Sequence, residues 1–197
     1  LEHPELQNFD GTILVTTSDV PLLDSEALRA LLEEHNRKPR AAVTVLTSTA
    51  DNPHGYGRIV RNADGEVLRI VEEKDASDEE REITEVNSGV YAFDAETLAD
   101  ALKRLDTNNA QGELYLTDVI GIAREADRSV RGHRLADATV VAGVNDRVQL
   151  ATLGRELNRR TCEEAMRAGA TIVDPDTTWI DVEVKIGRCL LYTSPSP

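Results

Sequence analysis

The run Thr12-Ile13-Leu14-Val15-Thr16-Thr17 is the feature that most narrows the folds open to this chain. It is rich in β-branched residues and lacks strict alternation, the pattern of a parallel strand covered on both faces. The strand is expected to span Thr12 to Val20, with Ser18-Asp19-Val20-Pro21 at its end. Asp24 or Ser25 can then cap a helix with Ala27, Leu28, Leu31 and Leu32 on its apolar face, closed by the polar run His35 to Pro39. Ala41 to Thr47 follows as a second buried strand. Strand, helix and strand in this order make a βαβ unit and predict an α/β fold.

Further along, Asp51-Asn52-Pro53-His54-Gly55-Tyr56-Gly57 is a loop leading to Arg58-Ile59-Val60, and Asn62-Ala63-Asp64-Gly65 turns that strand into Val67 to Glu72. The Asp-Gly step marks a hairpin. Ser77 to Glu82 predicts a short solvated helix or loop, Glu85 to Phe93 a strand, and Ala95 to Leu105 a helix. A polar loop, Thr107 to Glu113, leads to a helix from Leu116 to about Ala126, then to strands near Val130 to Leu135 and Thr139 to Ala142. Val144 to Ala168 has the pattern of one long helix, a connector between domains. Beyond it, the Ile186-Gly187 step after alternating valines could open a hexapeptide β-helix.

Both ends of the chain look unnatural. A full-strength strand follows the patternless Leu1 to Asp10 at once, where a doubly wound sheet normally has an earlier βα unit. The last segment, Cys189 to Pro197, changes character sharply and has the look of a foreign translated tail, so it is left out of the fold. The expected organisation is a partial catalytic domain over 1–146, a linker helix over 147–170, the start of a β-helix over 171–188, and a non-native tail over 189–197.

A formal net charge of -14 opposes a nucleic-acid surface, which needs clustered Lys and Arg to displace counterions. No apolar run reaches the roughly 20 residues of a membrane span, and no basic and apolar leader is present, so a cytoplasmic setting is expected. Cys162 and Cys189 have no partner spacing for a zinc site or a disulfide framework. His3, His35, His54 and His133 are scattered and are expected on the surface or in loops.

Ligands of open α/β sheets gather at the carboxyl ends of strands, where Asp19 could hold a metal bound to phosphate. Asp before Pro21 could equally cap a turn. Gly55-Tyr56-Gly57 would let backbone approach a ligand closely, or make a plain turn. Glu72 ends an apolar strand, where a solvated charge is the common alternative. Asn87 sits inside a strand, where Asn is disfavoured, and could face a ligand or satisfy a strand edge. Gln111 to Asp118 alternates polar groups before a helix, so a capping Thr or Asp is the ordinary reading there. By the same local logic Asn145 is an N-cap.

In order and spacing, SDVPLL, HGYGRIV, IVEEKDA, EVNSGVYAFD, NNAQGELYLTDVI, GVNDRVQL and TTWIDVEVKIG resemble one family over about Thr12 to Gly187. It is the bacterial bifunctional N-acetylglucosamine-1-phosphate uridyltransferase and glucosamine-1-phosphate acetyltransferase, the GlmU family. The resemblance implies a Rossmann-like nucleotidyltransferase domain lacking its first βα units, with the start of a left-handed β-helix. It implies that Asp19 and Asn145 bind magnesium, and that Thr17, Ser18 and Asp19 lie on the nucleotide side. Gly57, Glu72 and Asn87 would bind the N-acetylglucosamine phosphate, with Glu113, Tyr115 and Thr117 beside them. Ser18 departs from the family, which usually has Gly there.

The implied reaction joins UTP to N-acetylglucosamine 1-phosphate, giving UDP-N-acetylglucosamine and pyrophosphate for cell-wall precursors. The attacking phosphate oxygen is already ionised, so positioning and charge stabilisation would suffice, with no protein nucleophile. The family's Gly-rich phosphate loop with its following Arg and Lys does not occur in the 197 residues, so the chain alone is expected to be inactive. The acetyltransferase β-helix, which builds the parent's homotrimer, is expected to be absent beyond its first turn. Two other readings stay open: another sugar-phosphate nucleotidyltransferase, or a non-catalytic sugar-phosphate-binding piece.

Overall fold

The computed structural model describes residues 9–192. These divide after Ala142 into two compact units. The first holds β1 (Thr12–Val15), α1 (Ser25–Asn36), β2 (Val43–Thr49), β3 (Arg58–Arg61), β4 (Val67–Val71) and α2 (Asp78–Arg81). It continues with β5 (Glu85–Asp94), α3 (Ala95–Leu102), α4 (Asp118–Glu125), β6 (Val130–Arg134) and a 3-10 turn, Ala138–Val141.

The sheet runs β4-β3-β5-β2-β6, and β1 pairs with the far half of β5. It is mixed: β5 is antiparallel to β1, β2 and β3, whereas β2 and β6 are parallel. Helices cover both faces. On one side Val43, Val45, Tyr91 and Phe93 pack with Leu98 of α3 and Ile120 of α4. On the other, Leu46, Val90 and Ala92 pack with Ala27 and Leu31 of α1 and with Val140 and Val141. Alternate residues of β5 therefore feed opposite cores, as a strand's period of two requires. Truncating a side chain as deeply buried as Leu31 to alanine costs about 3 kcal/mol.

Several expectations change. β1 has four residues instead of nine, leaves Leu14 40% exposed, and has antiparallel β5 as its neighbour. Its β-branched composition therefore marks a strand without marking full burial. Thr139–Ala142 is not a strand: Asp137 accepts hydrogen bonds from the Thr139 amide (2.9 Å) and hydroxyl (2.6 Å), and this local cap winds the segment into the 3-10 turn. His35 is buried, not superficial. It is the third rung of the Ala27, Leu31, His35 stripe of α1, and its Nδ1 lies 3.1 Å from the Thr44 hydroxyl.

The second unit holds α5 (Arg147–Arg167), β7 (Thr171–Ile172) and β8 (Leu191–Tyr192), the last two pairing in parallel. Cys162, Ile172 and Ile180 form its small core. Asn158 stitches α5 to the loop beyond it: its Nδ2 donates to the Thr178 carbonyl (2.7 Å) and its Oδ1 accepts from the Ile180 amide (3.0 Å). The cap of α5 is Asp146, not Asn145. Asp146 accepts from the Gln149 amide (2.7 Å), while the Asn145 backbone amide donates to the Gln149 side chain (2.6 Å). Asp146 thereby leaves the Asn145 carboxamide outside the cap.

Candidate functional site

Four of the expected residues come together at the ends of β4 and β5. Gly57 precedes β3, and its carbonyl accepts the Asn87 amide at 2.8 Å. A Cβ on Gly57 would lie 2.9 Å from Ile70 Cγ2 and 3.3 Å from Glu72 Oε2, so glycine is what lets the loop lie on the Glu72 carboxylate. The Thr117 hydroxyl donates to Glu72 Oε1 at 2.9 Å. Thr117 occupies the N-cap position of α4 in αR conformation and makes no side-chain cap bond. A capping threonine is worth about 1 kcal/mol, so here the hydroxyl serves the carboxylate in place of the helix.

Asn87 is fixed by a bulge. Three residues of β2, Val45 to Thr47, oppose five of β5, Asn87 to Tyr91. The surplus chain, Ser88 to Val90, is held by the Ser88 hydroxyl, which donates to the Leu46 carbonyl at 2.8 Å. Gly89 takes φ +76 within it, and its amide donates to Asn87 Oδ1 at 3.0 Å. The Tyr91 hydroxyl donates to the same oxygen at 2.9 Å. Bulges of this kind re-aim a side chain at the cost of local pairing. Burial pushes the Tyr91 phenol well above its ordinary range, with the Glu72 charge acting in the same direction.

The two glutamates at the end of β4 face different partners, as successive strand residues do. Glu73 accepts from Arg58 Nη2 at 2.6 Å and from the Gly55 amide at 3.2 Å, and Arg58 also donates to the Tyr56 carbonyl. Arg58 is buried, so this ion pair pins the Gly55 to Gly57 loop from beneath. The Arg58 hydrogen bond, more than any other contact, holds the Glu73 carboxyl below the usual range. Neither Glu72 nor Glu73 is merely a solvated strand end.

A cavity of about 490 Å³ opens beside Glu72, Thr117 and Tyr115 and runs along α4. The Tyr115 hydroxyl accepts from Gln111 Nε2 at 2.7 Å. Desolvation raises its phenol, and the Asp75 and Glu72 charges add to the effect. Glu113 does not join them: it is exposed, lines no part of this cavity, and takes part in the loop through its backbone, which bonds to Asn109.

Thr17, Ser18 and Asp19 form an exposed turn after β1. Thr17 abuts the bulge, since a Cβ on Gly89 would lie 2.6 Å from its Cγ2. Asp19 does not cap the turn. The next turn, over Pro21 and Leu22, closes through the Leu23 amide and the Val20 carbonyl (3.2 Å), and the Asp19 carboxylate has no hydrogen-bond partner among the described residues. Asp19 belongs to the first unit and Asn145 to the second. Among the described residues no cluster of three His, Cys, Asp or Glu side chains could hold a metal, and no helix is long and apolar enough to cross a membrane.

Tyr91, Gly89, Arg58 and Glu73 are site-building residues that sequence reasoning missed. A glycine inside a strand pattern is a bulge signal, and Tyr91, four residues from Asn87, could have been paired with it on that basis. No local signal couples Arg58 to Glu73.

The nucleotidyl transferase family matches residues 3–182, and the chain belongs to that family. It is similar to the bifunctional protein GlmU of Corynebacterium efficiens, 68% identical over 187 residues, covering 95% of this chain and 38% of that protein. With the bifunctional protein GlmU of Corynebacterium glutamicum it shares 65% identity over 184 residues, 93% of this chain and 38% of that protein. The chain thus spans little more than a third of the length of these relatives. Among solved structures, a putative glucose-1-phosphate thymidylyltransferase from Bacillus anthracis aligns with a TM-score of 0.52 and 18% identity, over 73% of this chain and 53% of that one. It supports the mixed-sheet α/β fold alone. The GlmU resemblance drawn from the seven sequence segments is borne out by the first two.

Proposed function

We propose that this chain carries the sugar-phosphate side of uridyl transfer from UTP to N-acetylglucosamine 1-phosphate, yielding UDP-N-acetylglucosamine and pyrophosphate. The observation that carries the reading is the Glu72 carboxylate, held by Thr117 against Gly57 beside the fixed Asn87 amide. One carboxylate oxygen is left to accept from a sugar hydroxyl and one amide NH2 to donate, a complementary pair for a polar ring. Tyr115 and Thr117 line the cavity beside Glu72, whereas Asn87 lines a smaller one of about 200 Å³ with Ser48, Tyr56 and Val141. Glu113 stays in the proposal through the family resemblance alone.

Thr17, Ser18 and Asp19 take the nucleotide side in this reading. Asp19 and Asn145 are the proposed magnesium ligands: both are hard oxygen donors, both are exposed, and neither side chain has a hydrogen-bond partner among the described residues. Magnesium, when bound, would offset the repulsion between two polyanions. The protein's own task is orientation, because the attacking phosphate oxygen needs no base. A cytoplasmic enzyme of cell-wall precursor synthesis is the corresponding setting. The start of a β-helix over 171–188 and a homotrimeric parent rest on the family resemblance; β7 pairs with β8 at Leu191–Tyr192, within the segment expected to be a foreign tail.

The 197 residues contain no Gly-rich loop followed by Arg and Lys, so pyrophosphate release by this chain should stay at background. Calorimetry should show N-acetylglucosamine 1-phosphate binding without UTP binding. A cooperatively melting protein that fails to bind the sugar phosphate would overturn the reading. Tighter binding of a hexose 1-phosphate lacking the N-acetyl group would favour a different sugar-phosphate nucleotidyltransferase.

A further inference from the structure

The orientation of the Asn87 carboxamide is forced by its neighbours. A backbone N–H can only donate, so the Gly89 amide 3.0 Å away requires the oxygen, not the nitrogen, of Asn87 at that end. The Tyr91 hydroxyl, 2.9 Å from the same atom, must then donate as well. Both lone-pair directions of Oδ1 are taken, and Nδ2 is the group left to meet a ligand. Rotating the amide by half a turn would set an NH2 against the half-buried Gly89 N–H, leaving two donors face to face. Tyr91 is itself buried and stacked on Phe93 with ring centroids 5.3 Å apart, so its hydroxyl has little freedom to leave. The burial that raises its phenol also keeps the proton it donates.

We infer that Tyr91 is a positioning residue for sugar-phosphate recognition, locking Asn87 so that its NH2 rather than its oxygen faces the ligand. Tyr91 touches no ligand in this role and acts through Asn87 alone. The inference rests on the sugar-phosphate reading above and adds a specificity device to it: the site accepts an oxygen acceptor at Asn87 and a hydroxyl donor at Glu72, and rejects the reverse arrangement. A flipped amide would replace the NH2 donor with an acceptor, so that a ligand oxygen bound there loses its partner.

The test is Tyr91→Phe, which removes the hydroxyl and keeps the stacked ring, combined with Asn87→Ala in a double-mutant cycle. Loss of one orienting hydrogen bond should weaken N-acetylglucosamine 1-phosphate binding about fivefold to tenfold in the otherwise unaltered chain. In the Asn87→Ala background the same substitution should weaken it less than about twofold, since the group it orients is gone. Equal weakening in both backgrounds, or none in either, would overturn the inference. If Asn87→Ala abolishes measurable binding, side-chain amide NMR of the ligand-free chain decides. Tyr91→Phe should shift or broaden the Asn87 Nδ2H2 pair while the Val43 and Val45 backbone amides stay in place. An unchanged Asn87 pair would refute the lock. If the unaltered, folded chain does not bind the sugar phosphate at all, the sugar-phosphate reading fails, while the NMR result still judges the lock.

Discussion

Around Glu72 the side chains and backbone hold one another, whereas Thr17, Ser18 and Asp19 stand in an exposed turn whose carboxylate has no hydrogen-bond partner among the described residues. The first region is anchored twice over, by the β5 bulge above and by the Arg58 to Glu73 pair under the Gly55 to Gly57 loop. The proposed function accounts for the contrast by what each side would recognise. A neutral sugar is read by short, directional hydrogen bonds, so its donors and acceptors have to be placed in advance. A divalent cation is attracted over longer distances, and an exposed carboxylate can meet it without prior ordering.

The sharpest way to break this comparison is Glu72→Ala. Hydrogen bonds to a charged group are worth about 1.5 to 3 kcal/mol, so sugar-phosphate affinity by calorimetry should fall between about tenfold and a hundredfold. An unchanged affinity would mean that the ordered region is only structural.

Glu85→Ala tests the support beneath that region. Glu85 accepts from the buried Thr47 hydroxyl at 2.6 Å and from the half-buried Arg61 at 2.6 and 2.8 Å. Removing it should cost about 2 to 3 kcal/mol in denaturant unfolding, below the full cost of breaking a completely buried pair. Burial pushes the Glu85 carboxyl up, but the Arg61 and Thr47 hydrogen bonds outweigh it and leave the group below its ordinary 4.5. The stability it confers is therefore complete above about pH 4.5 and lost as pH falls through the depressed value. Glu85→Gln should flatten that acid limb of the stability profile.

His35 sets a second, higher window. Burial chiefly, with Arg40 next and Asp94 opposing, lowers its imidazole from 6.5. The neutral buried ring stabilises the fold above pH 6.5, and that contribution fades as pH drops below 6.5 toward the lowered value, because the unfolded chain takes the proton first. Stability curves of His35→Gln and the parent chain should diverge in slope only below pH 6.5.

Smaller effects separate the two regions further. Gly57→Ala places a methyl 2.9 Å from Ile70 and 3.3 Å from the Glu72 carboxylate, so a severalfold loss of sugar-phosphate affinity is expected, about half that of Glu72→Ala in free energy. Asp19→Asn should change magnesium-free sugar-phosphate affinity by less than about twofold, as suits an exposed residue outside the ordered region. A loss comparable to that of Gly57→Ala would erase the distinction.

Much of the fold is legible in the sequence because the signals are local. The Asp64-Gly65 turn announces the hairpin of β3 and β4, with Gly65 at φ +82, and Ser77 with Glu80 forms the capping box that starts α2. The candidate site is only partly legible. Glu72, Asn87, Gly57 and Thr117 stand out as residue types in unusual places, yet what joins them is tertiary: a bulge set by the pairing of β2 with β5, and a threonine diverted from its helix cap. Asn145 misleads for the opposite reason. Asn and Asp cap helices equally well, and the adjacent Asp146 wins the position through Gln149 three residues on. His35 was misplaced because its polarity outweighed its i+4 spacing from Leu31.

The central claim is that the Gly57, Glu72, Asn87 and Thr117 cluster is a preformed sugar-phosphate site. A backbone NMR titration of the chain with N-acetylglucosamine 1-phosphate tests it most directly. Saturable shifts concentrated on Gly57, Asn87, Gly89 and Thr117, with Asp19 and the amides of α5 little moved, are the predicted result. Saturable binding that leaves those four amides in place would contradict it.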